Sequence, residues 1–99
     1  MNDIQEIMVE IFSVTVDKKE YIYRLEITAS GAFKYGNGKM MTVYCNDQVE
    51  GTYDVRYIRE CNTKEGFHSW SEEFIRDHCR EDAVIKRVEE NIGQMVSNR

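Results

Sequence analysis

Residues 21–29 alternate between two sets of side chains with the two-residue period of a β-strand. One set is apolar and the other is mostly polar, which is typical of an antiparallel strand with one face against a core. The chain must therefore form a sheet, and another part of it must cover the apolar face. That face of the predicted strand carries Tyr21, Tyr23, Leu25, Ile27 and Ala29.

Three further strands are predicted around this one, over about residues 9–16, 40–45 and 52–58. The turns between them contain residues that tolerate positive φ, as in Gly36-Asn37-Gly38 and Asn46-Asp47. Connections this short favour an up-and-down β-meander.

The first of these strands has an alternative. Ile4, Ile7, Met8 and Ile11 have helical spacing, so a helix over residues 3–12 is the competing prediction. The β-branched residues and the alternation near the end of the segment favour a strand over about residues 9–16, with a helical turn before it.

The pattern becomes helical in the second half of the chain. Residues 61–68 are predicted to form a polar loop, and Ser69-Trp70-Ser71-Glu72 then fits a capping box at a helix start. Apolar residues continue at helical spacing to Ile92, with a break predicted near residues 80–82 and a stop at Gly93. We therefore expect one long helix or two short helices.

These elements predict an α+β fold, in which an antiparallel β-meander of about four strands has its C-terminal helix or helices packed on one face. The length of 99 residues suits a single domain over residues 1–99, with frayed ends over residues 1–8 and 94–99.

The chain is acidic, with 18 aspartates and glutamates against 13 lysines and arginines and a formal net charge of −5. Nucleic-acid binding needs clustered positive charge, so we expect no direct nucleic-acid contact. No apolar run approaches the length of a membrane span, so we expect no membrane contact. The acidic start without a secretory signal and the odd number of cysteines, three, predict a cytoplasmic protein.

Cysteine and histidine supply the strongest candidates for catalysis. Cys61 with His68, or Cys79 with a histidine brought near by folding, offers the thiol and the base of a cysteine nucleophile. The same residues with His78 offer four zinc ligands, yet they lack the paired C-x₂-C or H-x₃-H spacing of zinc sites. We predict no catalytic residue, no metal and no cofactor, and a small cysteine-dependent enzyme is the first alternative.

Gly31 and Gly36 have the spacing of a phosphate-binding loop. Asn37-Gly38 follows, however, where that loop needs lysine and then serine or threonine. A hairpin turn is therefore the better interpretation of this segment.

Adjacent carboxylates recur in the predicted helical region, where basic residues lie between them. This pattern is typical of a solvated, salt-bridged helix face rather than of acid–base catalysis. The adjacent pairs are Glu72/Glu73, Glu81/Asp82 and Glu89/Glu90. The predicted i,i+4 ion pairs are Glu72 with Arg76 and Asp82 with Lys86.

Aromatic residues on the predicted strands and turns could stack nucleic-acid bases or bind a protein. The strand order and the Lys/Arg-Gly-aromatic signature of an RNA-recognition domain are absent from the sequence. A sheet-based nucleic-acid-binding module is therefore the second alternative. The aromatic residues concerned are Tyr21, Tyr23, Phe33, Tyr35, Tyr44, Tyr53 and Tyr57.

Charge and aromatic content together favour a small acidic non-enzymatic protein-binding module whose partner has a basic surface. A narrower version is an inhibitor that occupies the basic groove of a nucleic-acid-binding protein or nuclease. In size, acidity and α+β layout the chain resembles some phage-encoded anti-defence proteins, including anti-CRISPR proteins; no motif carries this resemblance, and it implies no site residue. The predicted partner-binding residues are Tyr53, Tyr57, Glu72, Glu73, Asp77, Glu81 and Asp82.

A homodimer is a further expectation. The strand that begins near Val9 is predicted to be an edge of the sheet. An exposed edge presents unpaired backbone groups, which invite pairing with a second copy of the chain.

Overall fold

The computed structural model describes residues 4–30 and 38–88. These residues form a five-stranded antiparallel sheet with one α-helix packed against one face, so the predicted α+β class and the meander are confirmed. The sheet has five strands instead of about four. In chain order the elements are β1 (Ile4–Val16), β2 (Lys19–Ser30), β3 (Gly38–Cys45), β4 (Gln48–Asp54), a 3₁₀ turn (Arg59–Asn62), α1 (Lys64–His78) and β5 (Val84–Arg87).

The strands lie in the order β4-β3-β2-β1-β5. The first four follow one another as antiparallel neighbours, and β5 returns to pair with the other side of β1. β4 and β5 are therefore the two end strands. β1 is covered by β5 over residues 12–15, so the prediction that β1 is an exposed edge is wrong there.

Two-residue turns set the register of two hairpins. Asp17 and Lys18 join β1 to β2, and Asn46 and Asp47 join β3 to β4, with φ angles of 52°, 68°, 51° and 70°. Two successive left-handed residues form the turn that matches the twist of paired strands. The predicted turn at Asn46-Asp47 is confirmed, whereas Gly36-Asn37 lies outside the described residues.

β1 is longer than predicted and contains no helical turn. It begins at Ile4, inside the stretch 1–8 where fraying is predicted, and it pairs with β2 as far as Val16. Pairing with β2 supplies partners to the backbone groups along one edge of β1, and the two-residue alternation buries Met8, Phe12 and Val14 on one face. The competing helix over residues 3–12 is therefore wrong for the described part of that segment.

β4 lies earlier in the chain than the predicted strand over 52–58. The tight turn at Asn46-Asp47 starts it at Gln48, and the chain leaves the sheet after Asp54. The Arg56 backbone N–H then donates to Asp54 Oδ1 at 3.0 Å, which stabilises a turn. Val55 is buried under that turn rather than in a strand.

α1 begins at Lys64, five residues before the predicted capping box, so the predicted polar loop over 61–68 is wrong. Thr63 is the N-cap, and its Oγ1 accepts a hydrogen bond from the Gly66 N–H at 3.0 Å. A Cβ on Gly66 would lie 2.3 Å from the Glu60 carbonyl oxygen, so glycine permits this close approach. The position lacks the glutamate of a capping box, which explains why the pattern at Ser69 misled the prediction.

The predicted break near residues 80–82 is present, but the segment after it is β5 and not a second helix. Ile85 lies opposite Val14 on the inner face of the sheet, and the alternating pattern of a strand fits Val84–Arg87 as well as helical spacing does. This segment forms a strand because β1 supplies hydrogen-bond partners for its backbone. The local sequence does not reveal these partners. Gly93 and residues 94–99 lie outside the described residues.

The core lies between the inner face of the sheet and α1. Phe67, Ser71 and Ile75 face inward from the helix, and the Ser71 hydroxyl donates to the His68 carbonyl at 3.0 Å. Fully burying a large apolar side chain contributes about 1.5–3 kcal/mol. The buried hydrophobic residues are Met8, Phe12, Val14, Leu25, Ile27, Met41, Val43, Val55, Cys61, Phe67 and Ile75.

Within residues 4–30 and 38–88, α1 is the only α-helix, and its 15 residues do not meet the length and apolarity that a membrane-crossing helix requires.

Candidate functional site

α1 buries one side against the sheet and leaves two flanks, which differ in their surroundings. The β4 flank lies toward β4 and carries Trp70, Glu73, Phe74, Asp77 and His78. The β5 flank lies toward β1 and β5 and carries His68, Glu72 and Arg76.

The β4 flank is built on a row of rings. Trp70, Phe74 and His78 recur every four residues, which places them on one side of the helix. The ring centroids of Trp70 and Phe74 are 5.3 Å apart, and those of Phe74 and His78 are 5.5 Å apart, with both pairs stacked. Tyr53 of β4 meets Phe74 edge to face at 5.4 Å. These contacts hold Tyr53 and the helix together as one aromatic surface.

A shallow groove of about 330 Å³ lies along this flank. Its residues, here named the acidic groove, are Tyr53, Trp70, Glu73, Phe74, Asp77 and His78. Gly51 makes room for the Tyr53 ring, since a Cβ at Gly51 would lie 3.3 Å from Tyr53 Cε1. The groove therefore combines flat aromatic area with two carboxylates.

The carboxylates of Glu73 and Asp77 are both exposed. Neither forms an ion pair or a side-chain hydrogen bond with another residue of the described part of the chain. Two negative charges that pair with no described cation thus lie beside the aromatic row. Such an arrangement attracts cations, and an arginine or lysine can pair with a carboxylate while it packs on a ring face.

One end of the groove is held by a histidine–carboxylate pair. His78 Nε2 lies 2.7 Å from Glu50 Oε1, and Glu50 projects from a bulge where β4 has one residue more than β3. The Tyr23 hydroxyl donates to the other Glu50 oxygen at 3.4 Å. The bulge therefore turns Glu50 toward α1 and fixes the C-terminal end of the helix over the sheet.

The β5 flank has a dense ion-pair network instead. Arg87 of β5 donates to the carboxylate of Glu10, to Glu72 Oε1 at 3.2 Å and to the His68 carbonyl at 2.8 Å. The side chains of Arg87 and Glu10 are only 12% and 14% exposed. Glu72 also accepts from Arg76 at 3.0 Å, which confirms that predicted i,i+4 pair. The charged groups of this flank therefore pair with one another within the protein.

Of the seven predicted partner-binding residues, three share the acidic groove, namely Tyr53, Glu73 and Asp77. The other four lie elsewhere. Glu72 belongs to the β5 flank, and Tyr57, which is 88% exposed, follows β4 and lies against Arg56. Glu81 and Asp82 lie in the turn after α1.

Trp70, Phe74 and His78 complete the groove, and the sequence-based prediction of partner-binding residues omitted them. Their i,i+4 repeat was visible, but the same repeat is typical of a core stripe. The predicted pair of Asp82 with Lys86 is wrong, because Lys86 lies in β5 and Asp82 accepts from Arg80 at 2.9 Å. Glu89 and Glu90 lie outside the described residues.

A second hollow, of about 470 Å³, lies between the end of the sheet and the end of α1, and it contains Cys45 and Cys79. The Tyr23 hydroxyl interacts with both thiols. Burial, together with the charge of Glu50, raises the pKa of the Cys79 thiol above its ordinary value, and burial likewise raises the pKa of Tyr23. Both groups therefore stay protonated at neutral pH, which disfavours a nucleophilic thiolate.

Cys61 is fully buried in the 3₁₀ turn, and burial raises the pKa of its thiol to about 11. The two histidines contact different carboxylates, His68 at Glu10 and His78 at Glu50. Within residues 4–30 and 38–88, no group of three or more histidine, cysteine, aspartate or glutamate residues is placed to hold a metal ion.

The aromatic strand residues do not form one stacking platform. Tyr21, Tyr23 and Tyr53 lie on the helix side of the sheet by their register, whereas Tyr44 lies on the other face under the Arg24 guanidinium at 4.0 Å. Phe33 and Tyr35, and the glycines of the phosphate-loop spacing, Gly31 and Gly36, lie outside the described residues.

Comparison with protein families, with curated proteins and with solved structures finds no match to this chain. The function is therefore inferred from the site itself.

Proposed function

We propose that this protein is a small acidic protein-binding module without enzymatic activity, and that it binds a basic surface of its partner through the acidic groove. The observation that carries the proposal is the position of two carboxylates, Glu73 and Asp77, beside the aromatic rings of the acidic groove. Neither carboxylate has an ion-pair partner within residues 4–30 and 38–88. Aromatic residues with charge at their rim are the composition of protein interfaces.

A nuclease or another nucleic-acid-binding protein is the proposed partner class, with this chain acting as an inhibitor of anti-defence type. Such partners present arginine and lysine for phosphates, and the same side chains suit the acidic groove. The net charge of −5 supports faster association with a basic protein. We place the complex in the cytoplasm, because three free thiols fit a reducing compartment.

The test is affinity capture from the native host with matched variants. Immobilised wild type is compared with Glu73→Gln/Asp77→Asn, which removes two charges from the groove, and with Glu60→Gln/Glu65→Gln, which removes two exposed charges near the start of α1. Mass spectrometry should find a basic protein that is enriched on wild type and on the Glu60/Glu65 control. Its enrichment should fall at least tenfold on the groove variant.

The captured protein is then purified, and its nucleic-acid binding is measured with and without this chain. We expect competition that weakens as the salt concentration rises, since exposed charges are screened. Equal capture by the two variants would show that total charge, and not the groove, determines binding. If the captured protein, when saturated with this chain, still binds nucleic acid as it does alone, the proposal that this chain is an inhibitor is wrong.

The first alternative, a cysteine-dependent enzyme, has less support because burial raises the pKa of both Cys61 and Cys79. The second alternative, a nucleic-acid-binding sheet, has less support because the tyrosines divide between the two faces.

A further inference from the structure

We infer that β4 binds the partner by strand addition: an extended segment of the partner, with lysine or arginine at alternate positions, pairs with the outer edge of β4 and places those side chains in the acidic groove. This inference rests on the proposed function and specifies its geometry. It commits to a basic extended segment as the occupant.

The first support is the position of β4 at the end of the sheet. In the described part of the chain it pairs with β3 alone, and all of its residues but Gly51 are exposed. An end strand presents a row of backbone donors and acceptors to any extended chain that approaches it.

The second support is the direction of those backbone groups. The Val55 N–H donates to the Lys39 carbonyl at 3.1 Å, and hydrogen bonds of an antiparallel ladder alternate from residue to residue. Tyr53 therefore bonds to β3, while Thr52 and Asp54 direct their N–H and C=O groups outward. The regular edge runs from Gly51 to Asp54, because the bulge at Glu50 interrupts it on the other side.

The third support is the face on which the groove lies. The Tyr53 ring contacts Phe74 of α1, so its side chain is on the helix side of β4. A residue of an added strand that lies opposite Tyr53 has its side chain on the same face, about 4.5–5.5 Å away. That side chain enters the acidic groove. The side chain two residues further along the added strand lies on the same face and enters the groove as well.

Charge selects the occupant. Glu73 and Asp77 have no ion-pair partner among the described residues, and the guanidinium of Arg56, two residues after the end of β4, is paired with Asp54 at 2.8 and 3.1 Å. A cationic side chain in the groove thus meets these two carboxylates and ring faces, whereas an acidic segment would meet like charge. The sheet edge and the groove together fit a basic strand.

The first test uses a blocked seven-residue peptide that alternates lysine with threonine and valine, titrated into the folded wild-type protein by calorimetry. Two further peptides have the same sequence with N-methyl groups at alternate residues, one for each edge of the peptide strand. They keep the charge and lose backbone donors. At least one should bind ten or more times more weakly than the parent.

The second test changes the protein. Thr52→Pro removes an outward N–H without removing a β3 hydrogen bond, and Thr52→Val keeps it. The parent peptide should bind at least tenfold more weakly to Thr52→Pro and within twofold of wild type to Thr52→Val. If Thr52→Pro fails to fold, the N-methylated peptides still decide, because they use the wild-type protein.

The failures are distinguishable. If the N-methylated peptides bind as tightly as the parent, or the parent does not bind, strand addition is wrong, while partner capture that depends on Glu73 and Asp77 keeps the proposed function. If the groove variant Glu73→Gln/Asp77→Asn captures the partner as well as wild type does, the proposed function is wrong, and so is the inference that rests on it. A wild-type homodimer in light scattering that Thr52→Pro dissociates would assign the edge to a second copy and overturn the inference.

Discussion

Both flanks of α1 carry carboxylates, but the surroundings of those carboxylates differ. On the β5 flank, Glu72 shares Arg87 with Glu10, and the charges are neutralised within the protein. On the β4 flank, Glu73 and Asp77 lie beside aromatic rings and contact no cation of the described residues. One flank fastens a strand, and the other is the binding surface that we propose.

Glu72 and Glu73 make the lesson plain, because they are neighbours in the chain and belong to different flanks. One residue along a helix rotates the side chain by about 100°. A cluster of acids therefore has no single role, and the position of each acid around the helix decides which role it takes.

The largest effect should come from breaking the β5 flank with Arg87→Met. Glu10 is mostly buried and would keep only its contact with His68 at 3.3 Å, so we expect the free energy of unfolding in urea to fall by about 3 kcal/mol. The matched control is Arg76→Met, which removes a charge from an exposed i,i+4 pair and should cost about 0.3–0.5 kcal/mol.

Adding Glu10→Leu to Arg87→Met should restore part of the lost stability, since no buried charge is then left unpaired. Equal losses for Arg87→Met and Arg76→Met would contradict the view that the β5 flank fastens β5.

A smaller effect is expected at the start of α1, which orients both flanks. Gly66→Ala places a Cβ against the Glu60 carbonyl and Thr63 Oγ1, so the helix must shift away from the 3₁₀ turn. We expect the free energy of unfolding, measured by chemical denaturation, to fall by about 2 kcal/mol, although alanine has a higher helix propensity than glycine. Ser69→Ala, at an exposed position of the same helix, should change stability by less than 0.5 kcal/mol, and a neutral Gly66→Ala would refute the close packing.

A reactive thiol near either end of α1 would contradict the division of the helix into one structural flank and one proposed binding flank. Burial raises the pKa of Cys61 to about 11 and raises that of Cys79. Iodoacetamide labelling of the native protein, followed by mass spectrometry against pH, should show both thiols ionising above the ordinary range. Labelling of either with a pKa well below 8 would revive the cysteine-dependent enzyme.

The same shift has a consequence for stability. The folded state favours the protonated Cys61 thiol, so its contribution is present below the ordinary pKa near 9.0 and is lost as pH rises toward about 11. The free energy of unfolding should therefore fall over that range, and it should fall less steeply in Cys61→Ala.

The sheet was the most predictable part of the fold. Alternation in residues 21–29 predicts β2, and the Asn46-Asp47 turn predicts the hairpin of β3 and β4. The strand after that turn was nevertheless predicted over 52–58, whereas β4 is Gln48–Asp54. β5 was not predictable, since Ile85 fits a helix or a strand and its pairing with Val14 spans most of the chain. The start of α1 was missed because Thr63 caps it without a glutamate three residues later.

The candidate site was predictable only in part, for a related reason. Tyr53, Glu73 and Asp77 were predicted from charge and residue type, but their meeting depends on how α1 lies across β4. That placement rests on the bulge at Glu50 and its contact with His78, which join residues 28 positions apart. A sequence pattern with a short period carries no information on such a contact.

The smallest change in stability is expected from neutralising carboxylates on the two flanks. Glu72→Gln should lower the free energy of unfolding by about 0.5 kcal/mol, because Arg76 and Arg87 lose an exposed partner. Glu73→Gln/Asp77→Asn removes twice the charge and should leave stability unchanged or slightly raised, since no described cation depends on it. Urea denaturation at low salt resolves the difference, and a loss for the groove variant equal to or above that of Glu72→Gln would mean that those carboxylates hold the fold together. If removing these two carboxylates leaves the free energy of unfolding unchanged but weakens capture of the partner, their role is in binding and not in folding.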